Sequence, residues 1–422
     1  MSATTPTPTA TASPSTITAA RLSAVKPSPS MAAKARADAL KAAGRTIVDF
    51  TIGEPDFPTP PHILEAGALA LAQGQTRYTA SAGTVALRQA IADKLQRENG
   101  LQFGPNNIVV GSGAKQIIYS AFTATLNDGD EVIIPAPYWV SYPDMVALHG
   151  GTPVIVPCEA AEGFKLTAEA LAAAITPRTR WLVLNTPNNP TGAVYSAEEL
   201  KALAAVLDAN PHVWLLTDEI YEHFVYGNAR HVPPSSLSAS LRERTLVVNG
   251  LSKAYAFTGW RVGYGAGPSV LIKALSLLMS QSTTCASAIS QAAAVTALNG
   301  PQDCVGEAAK TFAQRCDRMV ELLNAIPGIE CRRPDGAFYV FPSVAGLIGR
   351  VTPAGQTLAT DVDVMNFLLE EAGVATIDGT SYGLSPYLRM SFATSLEQIE
   401  AGCAAIASAV ARCAPTPVQP HP

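Results

Sequence analysis

The densest chemistry in the sequence lies in one run, Asn249-Gly-Leu-Ser-Lys-Ala-Tyr-Ala-Phe-Thr-Gly-Trp-Arg-Val-Gly263. It follows a β-branched stretch that reads as a buried strand, so Lys253 stands among small and mostly apolar neighbours. Desolvation in such a place lowers an amine's pKa and makes it a nucleophile near neutral pH. Arg261, eight residues further on, offers a two-pronged guanidinium that suits a phosphate.

Three more polar clusters sit at the ends of expected strands. In Gly111-Ser-Gly-Ala-Lys-Gln116 a strand gives way directly to an apolar helix, so the loop's backbone N–H groups and the helix N-terminus can face an anion. Glycine in so tight a turn has a conformational explanation as well. Asn185-Thr-Pro-Asn-Asn-Pro-Thr-Gly192 has good turn formers and reads equally as a structural loop, but its end-of-strand position suits it to offer a side-chain amide to a ligand. Asp218-Glu-Ile-Tyr221 follows Val213-Trp-Leu-Leu-Thr217. An acid at the end of a buried strand is costly unless it meets a positive partner, such as a protonated ring nitrogen. Asp218 and Tyr221 can present to one ligand if the chain bends or begins a helical turn there.

The elements that must hold these residues alternate. Between about 105 and 270, short apolar runs at 108–110, 131–135, 153–156, 181–184, 213–217, 245–248 and 262–266 are separated by helical patterns and by Gly, Pro or Asn. This is the pattern of an α/β fold around a mostly parallel seven-stranded sheet, its strands covered on both faces. Ligands of such sheets bind beyond the carboxyl ends of the strands, where all four clusters fall. Ser196-Ala-Glu-Glu199 reads as a capping box opening a helix towards Asn210, and Asn127-Asp-Gly-Asp130 as a turn closing another. Beyond Pro301 the pattern changes to a long helix, a strand at 337–341, a helix at 363–372, a strand at 387–392 and a last helix opened by Ser395-Leu-Glu-Gln398. We expect a disordered tail at 1–20, an N-terminal segment at 21–61 packed on a smaller α+β domain at 302–415, a large domain at 62–301, and a short tail at 416–422.

Composition narrows the function classes. With 29 Lys and Arg against 34 Asp and Glu, a net charge of -5 and no basic run, nucleic acid is not an expected partner. Seven cysteines without a CxxC pair read as reduced thiols, so neither a disulfide framework nor a metal site is expected. No stretch reaches the roughly 18 apolar residues of a membrane span. The first twenty residues are rich in Thr, Ser, Pro and Ala and carry no charge. They faintly resemble an organelle transit peptide but have too little Arg, and a solvated tail on a cytoplasmic protein is the expectation.

Taken in order, these motifs resemble those of the class I and II aminotransferases of pyridoxal-phosphate (PLP) fold type I. The likeness rests on Ser-Lys-(five residues)-Gly-x-Arg-x-Gly at 252–263, Asn-Asn-Pro-Thr-Gly at 188–192 and Asp-x-x-Tyr at 218–221. It extends to Gly53-Glu-Pro-Asp-Phe57, Tyr78-Thr-Ala-Ser-Ala-Gly83, Pro137-Tyr-Trp-Val-Ser-Tyr-Pro143, Ser280-Gln-Ser-Thr-Thr284 and Tyr387-Leu-Arg-Met-Ser391, nearly the whole chain. The combination is most similar to the bacterial aspartate aminotransferase branch, some members of which also accept prephenate.

The resemblance implies a large PLP-binding domain and a smaller domain built from both termini. It implies that Lys253 anchors PLP covalently and shuttles the substrate proton, that Asp218 pairs with the pyridine N–H, and that Tyr221 and Asn189 bond the phenolic oxygen. Trp139 would stack on the ring; Gly113, Ala114, Lys115, Ser252 and Arg261 would hold the phosphate; Tyr78 would reach the phosphate of a neighbouring subunit, which implies a homodimer. Arg389 would clamp the substrate α-carboxylate, with Gly53, Trp139 and Asn189 beside it; without the family pattern it reads as a surface arginine on an edge strand. Some relatives carry a serine where this chain has Gly250, so its phosphate would lean more on backbone and Arg261.

Amino acid and 2-oxo acid substrates follow, with aspartate and 2-oxoglutarate the expected pair. Lys26-Pro-Ser-Pro-Ser30 and the 280–284 run resemble that branch. The alternative is prephenate or an aromatic 2-oxo acid. The same fold also runs β-elimination and ring closure of activated methionine. A regulator of transcription would need a basic DNA-binding module ahead of Gly53, and the short, sparsely charged leader speaks against it.

Overall fold

The computed structural model describes residues 17–25 and 29–414. Most of the leading tail, residues 26–28 of the Lys26 motif and the closing tail lie outside the described residues.

Seven strands form one sheet in the spatial order Ile108–Gly111, Gly263–Ala266, Thr245–Gly250, Trp214–Asp218, Thr179–Asn185, Glu131–Ala136, Thr152–Pro157. Successive side chains on a strand point to opposite faces, and here both faces are core. Val247 packs in one apolar cluster, with Ile91 and Ala293 of the helices Val85–Asn99 and Ala288–Asn299, while its neighbours Leu246 and Val248 pack in another, with Ile117 and Leu275. Leu182 and Val183 divide in the same way. The expected apolar runs therefore reflect two-sided burial. The exception is the edge strand Thr152–Pro157, half of whose residues are exposed, and its Pro153 and Pro157 are tolerated because an edge needs fewer ladder donors.

The sheet departs from parallel at one place. Gly263–Ala266 runs antiparallel to both its neighbours. An antiparallel return needs no crossover helix, so residues 251–262 leave the carboxyl end of Thr245–Gly250 and come back at that same end. Lys253 and Arg261 are both on this loop.

A second core surrounds a three-stranded sheet, ordered Ile377–Asp378, Leu388–Ser391, Tyr339–Val340, and packs against the helices Asp303–Asn324 and Leu396–Ala411. The helix Asp361–Phe367 continues into a wider turn, Leu368–Ala372, before Gly373 reverses the chain at φ 64°. The N-terminal segment joins this core: Val48–Asp49 pairs parallel with Val374–Ala375, and Phe50 O accepts from Ser391 N at 2.8 Å. Asp56 then meets Arg315 of the long helix in a bidentate pair at 2.7 and 2.9 Å. The capping box forms as read, with Ser196 Oγ accepting from Glu199 N and Glu199 Oε2 from Ser196 N. Among the described residues, no helix is long and apolar enough to cross a membrane.

Behind the strand ends lies a buried ion pair, Lys94 with Glu222. Asn99 and Asn249 each donate to the Glu222 carboxylate at 2.6 Å. Burial pushes the Lys94 amine down, but Glu222 and Glu98 push it up more strongly; Glu222 is held well below the usual carboxylate range against its own burial, by Lys94 first. The pair ties the helix Val85–Asn99 to the turn after Asp218 and to the strand that leads into Lys253. Removing one partner of a buried pair leaves the other uncompensated, at about 3 to 5 kcal/mol. Glu222→Gln is therefore expected to lower the urea midpoint sharply, while Lys94→Met with Glu222→Leu recovers most of the loss. Equal midpoints for Glu222→Gln and the unaltered chain would show that the pair does not hold the turn.

Candidate active site

The four polar clusters meet in one cavity of about 310 Å³ at the carboxyl ends of the strands. Lys253, Asp218, Tyr221, Asn189, Ser252, Arg261, Ala114, Lys115, Trp139, Gly53 and Arg389 all line it. Gly113 borders it as the residue before the helix Ala114–Thr125. Tyr78 does not reach the cavity of its own chain and is 88% exposed. The Ser280–Thr284 run does not line it either. It supports the Gly111 loop through Gln116, which donates to Thr283 Oγ1 at 2.6 Å and accepts from Ser112 N at 2.5 Å.

Each side chain is aimed by local backbone. Asn185 and Asp218 are register partners at the ends of adjacent parallel strands. Past Asp218 the chain makes a helical turn, with Glu222 N donating to Glu219 O at 2.9 Å, which brings Tyr221 to the same cavity. Asn185 Nδ2 donates to Asp218 O, and its Oδ1 accepts from Asn189 N at 2.7 Å, so one buried amide links the acid to the Asn189 loop.

Two groups sit where burial opposes their charge. Burial raises the Asp218 carboxyl to about 6, although Tyr142, donating at 2.7 Å, and the Ile220 N–H pull it down. Between the usual carboxylate value and about 6 the folded chain binds the extra proton, so this group costs stability as pH rises through that window. Burial pushes the Lys253 amine down to about 8; Glu54 opposes the fall, Arg389 and Arg261 add to it, and Asp218 opposes it. The amine donates to Gly53 O at 2.7 Å.

The other end of the cavity is a cradle for an anion. Gly113 has φ 88°, and a Cβ there would lie 2.4 Å from the Arg261 guanidinium. Gly263 is as constrained, its Cβ site being 2.1 Å from Ala114 N. Arg261 is itself left-handed at φ 59°, a conformation costly for a side-chain residue and concentrated at functional sites. The helix Ala114–Thr125 has no side-chain cap and no acid in its first turn. Instead two cations crowd this positive helix end, and the Lys115 amine is lowered by burial and then by Arg261. Two cations at a helix N-terminus repel one another and the helix dipole until an anion joins them. A phosphate-bearing group fits. The Gly250 departure also has a physical basis: Gly250 pairs with Gly263 across the sheet, and a Cβ on it would lie 3.0 Å from the Gly263 Cα.

Arg389 is 3% exposed on the central strand of the small sheet, which excludes the reading of a surface edge arginine. It donates to Thr51 O at 2.6 Å and to Asn189 Oδ1 at 3.4 Å, and its Nε is buried without a partner among the described residues. That leaves a buried donor for an incoming carboxylate.

Sequence reasoning gave no role to Tyr142, Asn185, Thr51 or Tyr339. The first two lie inside recognised runs, but nothing in the order of residues says that Tyr142 meets Asp218. Tyr339 sits in an apolar strand and reads as core.

Two outcomes follow from this geometry. In cofactor-free protein the Lys253 charge is opposed in full below about pH 8, and unfolding takes up a proton between about 8 and 10.5, so the penalty fades as pH rises through that window. Lys253→Met is expected to be the more stable protein at pH 7, by up to about 3 kcal/mol, with the gap closing towards pH 10 in thermal melts; a pH-independent gap contradicts it. Gly113→Ala forces a methyl into the guanidinium and an unfavourable φ, and equilibrium dialysis with a phosphate-bearing probe should show binding weakened at least about tenfold.

Comparisons with known proteins show the family. The family model "Aminotransferase class I and II" matches residues 45–406. An aspartate aminotransferase of Rhizobium meliloti strain 1021 is 52% identical over 392 residues, spanning 91% of this chain and 96% of the relative. A probable aspartate/prephenate aminotransferase of Rhizobium leguminosarum bv. phaseoli is 52% identical over 382 residues, 90% and 96% of the two chains. A crystal structure of the aspartate aminotransferase from Rhizobium meliloti superposes with a TM-score of 0.92 at 51% identity, covering 94% of this chain and 99% of that one. The chain belongs to the class I and II aminotransferases.

Proposed function

We propose that this aminotransferase exchanges the amino group between L-aspartate and 2-oxoglutarate, with PLP held at Lys253. The observation that carries the reading is the single cavity in which a depressed amine, a buried carboxylate and a buried guanidinium with a spare donor converge. Bound there, PLP supplies an electron sink for the pair released when the substrate Cα–H bond breaks.

The residues divide the remaining work. Arg389 binds the α-carboxylate as a charge-assisted pair, with Gly53, Asn189 and Trp139 beside the substrate. Lys253, with an amine near 8, has free base available at neutral pH and takes and returns the proton at Cα. Asp218 keeps the pyridine nitrogen protonated, which also relieves its own desolvation. Tyr221 and Asn189 donate to the phenolic oxygen, Trp139 covers the ring, and Gly113, Ala114, Lys115, Ser252 and Arg261 hold the phosphate. Tyr78 is assigned to the phosphate site of a partner subunit in a homodimer. Its exposure favours this.

We take residues 62–301 as the large domain and 302–415, joined by 21–61, as the small one, with the carboxylate clamp on the small domain and the amine on the large. Substrate binding would then draw them together and shut out water. A cytoplasmic location belongs to the same reading. Aspartate is preferred on the names of the relatives at about half identity; prephenate as amino acceptor is the second reading, favoured by the aspartate/prephenate relative.

Purified protein loaded with PLP is expected to lose the cofactor's absorbance band near the visible edge on adding L-aspartate and to regain it with 2-oxoglutarate. Lys253→Ala should cut turnover about 10⁴-fold. Alanine or a basic amino acid reacting far faster than aspartate would sink the substrate reading, and a protein that takes up no PLP would sink the cofactor reading.

A further inference from the structure

Tyr339 touches both halves of the cavity. Its strand, Tyr339–Val340, pairs with the strand that carries Arg389, and its side chain is buried. Its hydroxyl lies 2.9 Å from the Tyr221 hydroxyl. The Arg389 guanidinium carbon lies 4.5 Å from the Tyr339 ring centre, with Tyr382 at 5.5 Å. A Cβ on Gly53, whose carbonyl accepts from Lys253, would come within 3.4 Å of the same hydroxyl.

A tyrosine hydroxyl has one proton to give. When Tyr221 donates to an oxygen anion in the cavity, the 2.9 Å contact survives only if Tyr339 donates to Tyr221. Donor chains of this kind strengthen one another in a low-dielectric interior. The ring of Tyr339 meanwhile gives the buried guanidinium a negative face to lie on, which fixes the plane of its fork.

We propose that Tyr339 is a positioning residue that works in both directions, polarising Tyr221 through its hydroxyl and orienting Arg389 through its ring. The inference rests on the assignment of Tyr221 and Arg389 above. It makes this side chain the physical link between the group that tunes the cofactor's phenolic oxygen and the group that receives the substrate carboxylate.

The two functions separate by substitution. Tyr339→Phe keeps the ring and removes the hydroxyl; Tyr339→Leu removes both. In PLP-loaded protein, two readouts other than activity are measured: the pH midpoint of the cofactor's absorbance, and the dissociation constant of maleate, a dicarboxylate probe for Arg389. Tyr339→Phe is expected to raise the midpoint by roughly half a pH unit, because a weaker bond from Tyr221 favours the protonated form, with maleate affinity within about twofold. Tyr339→Leu is expected to show the same shift and to weaken maleate about tenfold or more. The Tyr339→Phe shift should vanish in a Tyr221→Phe background, a comparison that decides the matter even if Tyr339→Leu does not fold. An unchanged midpoint in Tyr339→Phe, or the same shift in the Tyr221→Phe background, overturns the proposal. An unaltered protein that takes up no PLP or ignores aspartate instead overturns the functional assignment on which it rests, before any variant is made.

Discussion

Asp218 ends a strand buried from Leu215 onward, and keeping its carboxylate ionised there is the constraint on which the rest of the site depends. Its surroundings supply one hydroxyl and one backbone N–H, too little to offset burial, and its proton affinity rises accordingly. Four residues on, Glu222 meets the same burial with a different answer. An ammonium and two side-chain amides satisfy it, and its proton affinity falls. The two acids share a strand end and a turn but differ in whether the chain completes their partners. The completed one holds the fold. The incomplete one waits for a cation, as does the amine of Lys253 for a reaction partner, and unrelieved buried charge of this kind is what a binding site costs the folded protein.

Backbone proximity is the second constraint. Gly250 faces Gly263 across the antiparallel pair, Gly263 faces the N-terminus of the helix Ala114–Thr125, and Gly113 faces the Arg261 guanidinium. Three contacts in series remove the Cβ atoms that would keep a strand, a helix end and a cation apart. Once they are this close, the loop between Gly250 and Gly263 must carry both the amine and the guanidinium to one end of the sheet. The left-handed conformation of Arg261 is retained because packing over-determines it.

Much of this was legible in the sequence, for identifiable reasons. Strands buried on both faces are written as apolar runs, and the seven runs predict the seven strands. The ligand end of the sheet follows from where the polar clusters interrupt them. The antiparallel return at Gly263–Ala266 was not legible, since hydrophobic pattern reports burial and not direction. Nor was the place of Arg389: a strand of four residues, Leu388–Ser391, looks alike at the centre of a small sheet and at its edge. Tyr142 and Tyr339 stayed hidden because their partners, Asp218 and Tyr221, lie 76 and 118 residues away. A tyrosine in an apolar run is indistinguishable from core until the fold supplies its neighbour.

Reaction and substrate choice are written in different parts of this chain. On the proposed reading, Lys253 and Arg389 would act on features that every amino acid shares, an α-proton and an α-carboxylate, while Asp218 would act on the cofactor; Lys253 lies on the loop after one strand, Asp218 ends another, and Arg389 lies on a central strand. The substrate's side chain must be met by other groups, and these would come from segments outside the sheet. Segments of that kind change without disturbing either core. The framework alone does not fix the reaction, and on the proposed reading a shift between aspartate and an aromatic or prephenate-like acceptor would require no change in the amine, the acid or the clamp.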